Sequence, residues 1–109
     1  TMVVPEIAGF QSEETLQSLG VVRAAINQQR RLYLAYNDVS DTPTERIVWP
    51  LSLLYWGNSW VVGAWCELRQ AFRSFRVDRI AEARGLGTQF PDEPGKRLED
   101  YLRQASGRR

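Results

Sequence analysis

The chain has 109 residues, a formal net charge of +1, one cysteine and no histidine. A chain of this length folds as one domain around one core. Because histidine is absent and Cys66 stands alone, an internal disulfide, a Cys/His zinc site and a Ser-His or Cys-His catalytic relay are all excluded. No stretch approaches the ~18 to 20 apolar residues of a membrane span.

The first predicted element is a helix over residues 12–31. Ser12 is placed to cap it, and Glu13 and Glu14 follow in the first turn, where negative charge is favourable. One apolar stripe with a spacing of three to four residues is formed by Leu16, Leu19, Val22 and Ile26. Residues 1–11 are expected to be a tag or linker.

After this helix the apolar pattern changes to that of β-strands. β-Branched and aromatic residues are concentrated in three runs, over residues 32–36, 45–55 and 60–66. A turn-rich loop over 37–43 closes the first hairpin, and Gly57, Asn58 and Ser59 make the next tight turn. Pro50 lacks the N–H that a strand ladder needs, so an edge or a bend is expected there.

Two further strands are predicted, over residues 71–77 and 80–86, and a short helix over 97–104. The predicted fold class is mainly β with flanking helices: a small antiparallel barrel of about five strands, an N-terminal helix and a short C-terminal helix. Residues 12–88 form the predicted barrel with its helix, and residues 89–109 form a C-terminal extension.

The clearest functional signal lies between Trp65 and Ile80. Four arginines are interleaved there with two phenylalanines, in the order Arg69, Phe72, Arg73, Phe75, Arg76 and Arg79. Because the whole chain carries a charge of only +1, this excess is local. A guanidinium grips phosphate or carboxylate with two parallel hydrogen bonds and stacks on bases, so the cluster indicates an anion-recognising surface. The alternative is that these arginines form solvated pairs with Glu67, Asp78 and Glu82.

Strand alternation limits which residues can share this surface. It places Arg73 with Phe75 on one face and Arg76 on the other, so the two arginines share a face only if a bulge intervenes. Otherwise one of them is structural. Trp60 and Trp65 are expected in the barrel interior, because large aromatic rings are more often core than ligand platforms.

The segments, taken together at this spacing, closely resemble the WYL domain, a small Sm-like or SH3-like barrel of bacterial regulators. The matching features are Tyr36 in the first strand, the run from Arg46 to Pro50, Gly57 before Trp60, and the block from Phe72 to Ile80. The resemblance covers about residues 20–88. The family's Trp-Tyr-Leu is Trp60-Val61-Val62 here, so the tyrosine hydroxyl is lost.

The resemblance implies a non-enzymatic, effector-sensing domain of a cytoplasmic bacterial transcriptional regulator, with no cofactor or metal and no membrane contact. The implied effector is an anionic molecule or single-stranded nucleic acid, bound by Arg46, Arg73, Arg76 and Arg79 together with Tyr36. DNA would be contacted through a helix-turn-helix domain that this chain lacks. The alternative is a structural dimerisation or protein-interaction module whose arginines pair with acids of a partner, and a homodimer is expected.

Overall fold

The structure, a computed structural model, describes residues 12–106. Its first element is the helix α1 (Glu13–Gln28). Ser12 caps this helix as predicted, because the Ser12 Oγ accepts a hydrogen bond of 3.1 Å from the N–H of Thr15. The helix ends before residue 31, since Gln29 adopts a left-handed conformation with φ of 54°. The predicted tag or linker, residues 1–11, lies outside the described residues.

Five antiparallel strands form one sheet in the order β4-β3-β2-β1-β5. They are β1 (Arg30–Asn37), β2 (Pro43–Trp56), β3 (Ser59–Cys66), β4 (Ala71–Arg76) and β5 (Ile80–Gln89). A 3-10 turn (Val77–Arg79) joins β4 to β5, and the helix α2 (Leu98–Ser106) comes last. The predicted class, mainly β with five antiparallel strands between two flanking helices, is confirmed. Closure into an Sm-like or SH3-like barrel stays a prediction.

The face of the sheet that packs on α1 is called the inner face, and it carries the core. Paired residues of neighbouring strands share a face, as Leu32 does with Val48 and Val62 with Phe75, and all four are at most 1% exposed. From α1 the buried residues Leu19, Val22 and Ala25 join this cluster, with Ile26 partly buried against it. Leu16, predicted in the apolar stripe, is instead 56% exposed.

Pro50 marks an irregularity in β2. The register of β2 against β3 shifts between Pro50 and Ser52, while the pairing of β2 with β1 reaches only to Val48. The predicted bend is therefore present, at a point where β2 is paired with β3 but no longer with β1.

The opposite face, called the outer face, is covered in part by the C-terminal segment. Tyr101 of α2 packs edge-on against Phe72, with ring centroids 5.7 Å apart, and its hydroxyl lies 3.0 Å from the Ser74 Oγ. Gly63 lies beneath the Tyr101 ring, where a Cβ atom would overlap the ring. The residues after β5 thus return onto the sheet. No helix among residues 12–106 is long and apolar enough to span a bilayer.

Of the two tryptophans predicted in the interior, one lies elsewhere. Trp60 packs against the core from the inner face and is partly buried there. Trp65 lies on the outer face, because the register pairs it with Trp49 and Phe72 while its neighbours in β3 point inward. Its predicted interior position is therefore wrong. Trp49 is the tryptophan with the least exposure, 8%. Cys66 is fully buried among apolar residues, as expected for a small hydrophobic side chain.

Candidate anion-binding face

Tyr36 connects two strands that are not neighbours in the sheet. Its ring meets the Phe75 ring edge-on, with centroids 5.1 Å apart and an interplanar angle of 84°. Its hydroxyl accepts a hydrogen bond of 3.0 Å from the backbone N–H of Arg76. The sheet therefore curves enough to bring β1 against β4, and the phenol has a structural role in holding the two together.

Arg76 is neutralised by a neighbouring carboxylate. Its Nε and Nη2 donate to the two carboxylate oxygens of Asp78 at 3.1 and 2.7 Å. This hydrogen bonding raises the pKa of the Arg76 guanidinium above its ordinary value. The register between β3 and β4 contains no shift, so Arg76 lies on the outer face and Arg73 on the inner face. Arg76 thus matches the surface-pair interpretation of the cluster.

Arg79 stabilises the loop between β1 and β2 by contacts with two of its aspartates. Its Nη1 donates to the carbonyl oxygen of Asp38 at 2.9 Å and lies 3.6 Å from Oδ1 of Asp41. The Asp38 carboxylate in turn accepts hydrogen bonds from the N–H groups of Ser40 and Thr42. These contacts fix the loop that immediately follows Tyr36, so Arg79 has a clear structural function.

Arg46 and Arg73 have no carboxylate within ion-pair distance in the described part of the chain. The Arg46 Nη1 donates to the carbonyl oxygen of Glu45 at 2.9 Å. The Arg73 guanidinium lies 5.8 Å from the centroid of the Phe75 ring. Because neither charge is neutralised by an acid, both guanidiniums remain available for a charge-assisted hydrogen bond to an anion.

Tyr36, Arg46 and Arg73 lie on the same face of the sheet, and together they are called the anion face. Tyr36 pairs with Thr44, so Arg46, two residues further along β2, is its diagonal neighbour, at a separation of about 7 to 8 Å. Arg73 reaches the same region through the Phe75 ring, which contacts both Arg73 and Tyr36. The structure thus places three of the five predicted site residues on one face. It separates Arg76 from them by face and engages Arg79 with the loop.

The outer face carries an aromatic cluster that the sequence analysis did not predict. Its members are Trp49, Trp65, Phe72, Phe90 and Tyr101. The ammonium group of Lys96 lies 5.3 Å from the Trp49 ring centroid and 5.0 Å from that of Trp65. The register pairs Trp49 with Trp65 and Trp65 with Phe72, and paired residues share a face. The pairing of the strands is therefore the signal that places these three rings together.

Glu67 ties this cluster to the start of β1. Its carboxylate accepts hydrogen bonds from Nε and Nη2 of Arg31, each at 2.8 Å, and from the indole N–H of Trp49 at 2.7 Å. The Arg31 hydrogen bond, followed by that of Trp49, lowers the pKa of Glu67 despite partial burial of the carboxyl. Glu67 therefore pairs with an arginine far away in sequence rather than with an arginine of the cluster.

The fold and the matching sequence segments define a WYL domain. The family model described as "WYL domain" matches residues 17–84, and the chain belongs to this family.

Among the relatives, Protein PafC of Mycobacterium leprae (strain TN) is 38% identical over 78 residues, which are 71% of this chain and 22% of PafC. The DNA-binding transcriptional repressor CapW of Escherichia coli (strain KTE188) is 34% identical over 70 residues, 63% of this chain and 22% of CapW. The solved structure of the proteasome accessory factor B/C (PafBC) of Arthrobacter aurescens superimposes with a TM-score of 0.70 at 26% identity, over 91% of this chain and 14% of that chain. The chain thus spans about a fifth of the length of these curated relatives.

Proposed function

We propose that this WYL domain is the non-enzymatic effector-sensing part of a bacterial transcriptional regulator and that its anion face binds the effector. The effector is a phosphate-bearing small molecule or single-stranded nucleic acid. The observation that carries the proposal is that Arg46 and Arg73, beside Tyr36, have no acid partner within residues 12–106 of a chain of net charge +1. The similarity to CapW, a DNA-binding transcriptional repressor, supports the regulatory setting. In this proposal DNA is bound in the cytoplasm by a helix-turn-helix domain outside this chain.

The guanidiniums of Arg46 and Arg73 are free to bind a phosphate, whereas those of Arg76 and Arg79 are already engaged by acidic residues. A phosphate at the anion face can accept hydrogen bonds from Arg46 and Arg73 without displacing a carboxylate, and each such bond contributes about 1.5 to 3 kcal/mol. Arg76 would first have to leave Asp78, so its contribution to binding is smaller. Phe75 is 1% exposed and cannot stack on a base, whereas Tyr36 is only partly buried, so a ligand can reach it.

The test is binding of a fluorescein-labelled oligothymidylate of about 12 nucleotides, a length within the range that small β-barrels bind, followed by anisotropy. Arg46→Ala and Arg73→Ala are each expected to weaken binding by about tenfold or more, and binding should fall as salt rises. Arg23→Ala is the matched control, because Arg23 is exposed on α1 and its loss changes the net charge equally. If all three variants bind the oligonucleotide equally well, the anion face is not the binding site. Inorganic phosphate as competitor separates phosphate binding from recognition of a strand.

We also propose that the domain forms a homodimer, and a dimerisation or interaction module is the alternative function. Sedimentation velocity at increasing protein concentration tests whether the homodimer forms. A monomer at all concentrations would contradict the dimer without affecting the anion face.

A further inference from the structure

β4 is an edge strand, and the backbone groups on its free side, away from β3, belong to Phe72, Ser74 and Arg76. The N–H of Arg76 points away from β3, because it donates to the Tyr36 hydroxyl. Residues two apart in a strand direct their backbone groups to the same side, so the N–H and C=O groups of Phe72 and Ser74 also point away from β3. No strand among residues 12–106 pairs with this side of β4. The register of β4 against β3 contains no shift, so no bulge in β4 interrupts the row of free backbone groups at Phe72 and Ser74.

A cavity lies along this edge on the outer face. Its volume is about 260 Å³, and it is lined by Phe72, Arg73, Ser74, Tyr101, Gln104 and Ala105. The cavity therefore lies between β4 and α2. A strand added to the edge would direct alternate side chains toward this cavity, which has room for a small apolar side chain against the rings of Phe72 and Tyr101.

The charges along the edge indicate what kind of strand fits. Arg73 and the exposed Arg69 of the preceding turn have no carboxylate partner in the described part of the chain. Pairing of β4 with the same strand of a second copy would bring two arginine-bearing edges together, which is unfavourable. A strand with acidic side chains opposite Arg73 is complementary in charge.

We propose that the β4 edge binds an extended segment of a partner protein, in which acidic residues alternate with small apolar residues, as a sixth strand. The backbone groups of Phe72 and Ser74 supply the hydrogen bonds. Arg73 selects the acidic side chains on one face, and the cavity beside Tyr101 selects the apolar ones on the other. This is strand addition at a sheet edge, and it shares Arg73 but not Tyr36 or Arg46 with the anion face.

The test uses the 109-residue chain labelled with ¹⁵N and a synthetic peptide of about six residues that alternates valine and glutamate, long enough to form a typical strand. In the free protein the amides of Arg73 and Phe75 should exchange slowly with solvent, and those of Phe72 and Ser74 quickly. Saturating peptide should slow exchange at Phe72 and Ser74 by about tenfold or more. A peptide with lysine in place of glutamate should bind about tenfold more weakly.

Ser74→Pro is the informative variant, because it removes an N–H that the internal ladder does not use and places a ring on the edge. It should abolish peptide binding while binding of oligothymidylate is retained, which distinguishes this proposal from the anion face. Arg69→Glu and Arg73→Glu form a matched charge-reversal pair, and only the second should reverse the preference between the two peptides. Equal binding of both peptides to the unmodified chain would overturn the proposal. Slow exchange of the Phe72 and Ser74 amides in the free protein would also overturn the proposal. If that protection grows with protein concentration, a second copy of the chain occupies the edge.

Discussion

Replacing Gly63 by alanine should release α2 from the sheet. A Cβ atom at Gly63 would overlap the ring of Tyr101, so the ring must leave its place on the outer face. Tyr101 is the residue that joins α2 to β4, through the Phe72 ring and the Ser74 hydroxyl. The glycine is therefore required by close packing, since its backbone does not adopt a positive φ.

The size of the effect follows from the contacts that are lost. The hydrogen bond between Tyr101 and Ser74 contributes about 0.5 to 1.5 kcal/mol, and the edge-to-face ring pair contributes a similar amount. Alanine inside a strand is more stabilising than glycine by about 0.5 to 1 kcal/mol, which offsets part of this loss. We expect a net loss of about 1 kcal/mol, and at most about 2.5 kcal/mol; a loss of about 1 kcal/mol lowers Tm by roughly 4 to 8 °C in a domain of this size.

Thermal unfolding followed by circular dichroism measures the loss, and hydrogen exchange of the α2 amides shows whether the helix is released. The control is a double-mutant cycle with Tyr101→Ala. In that background Gly63→Ala should be neutral or slightly stabilising, because the ring is already gone. If Gly63→Ala destabilises both backgrounds equally, the cost does not come from the contact with Tyr101 and the reasoning is refuted.

Three further outcomes are expected. Trp60→Ala should lower the free energy of unfolding by about 2 to 4 kcal/mol, since Trp60 is only partly buried. Trp56 is 78% exposed, so Trp56→Ala should change the free energy of unfolding by less than about 0.5 kcal/mol. Equal effects of the two variants in chemical denaturation would contradict these positions. The pKa of Glu67 lies below its ordinary value of 4.5, so its pairing with Arg31 stabilises the fold fully above that pH and progressively less as pH falls through the lowered value. The stability difference between the unmodified chain and Glu67→Gln should therefore shrink in acid-titrated urea melts, and a constant difference from pH 7 to about pH 2 would contradict it. In gel-shift competition the chain should retain no single duplex sequence over random duplex, because the apolar residues of α1 are used for packing; specific retention would place DNA reading in this domain.

Much of the fold could be predicted from the sequence, because the information is local. The strands were recognisable from runs of β-branched and aromatic residues, and their turns from Gly57, Asn58 and the loop over 37–43. The bend at Pro50 followed from its missing N–H. Alternation alone predicted that Arg73 and Arg76 lie on opposite faces without a bulge, and the regular register of β4 agrees.

The charge state of the candidate site depended on tertiary structure. The arginines of the sequence can pair with several of its acids, and only the folded chain shows that Glu67 pairs with Arg31, 36 residues away, and Asp78 with Arg76. Among residues 12–106 it also shows no acidic partner for Arg46 or Arg73. The outer position of Trp65 likewise depended on which strands pair and on where α2 returns to the sheet. Residue types and alternation are properties of neighbours along the chain, whereas ion pairs and ring contacts are set by distances between segments that the sequence places far apart.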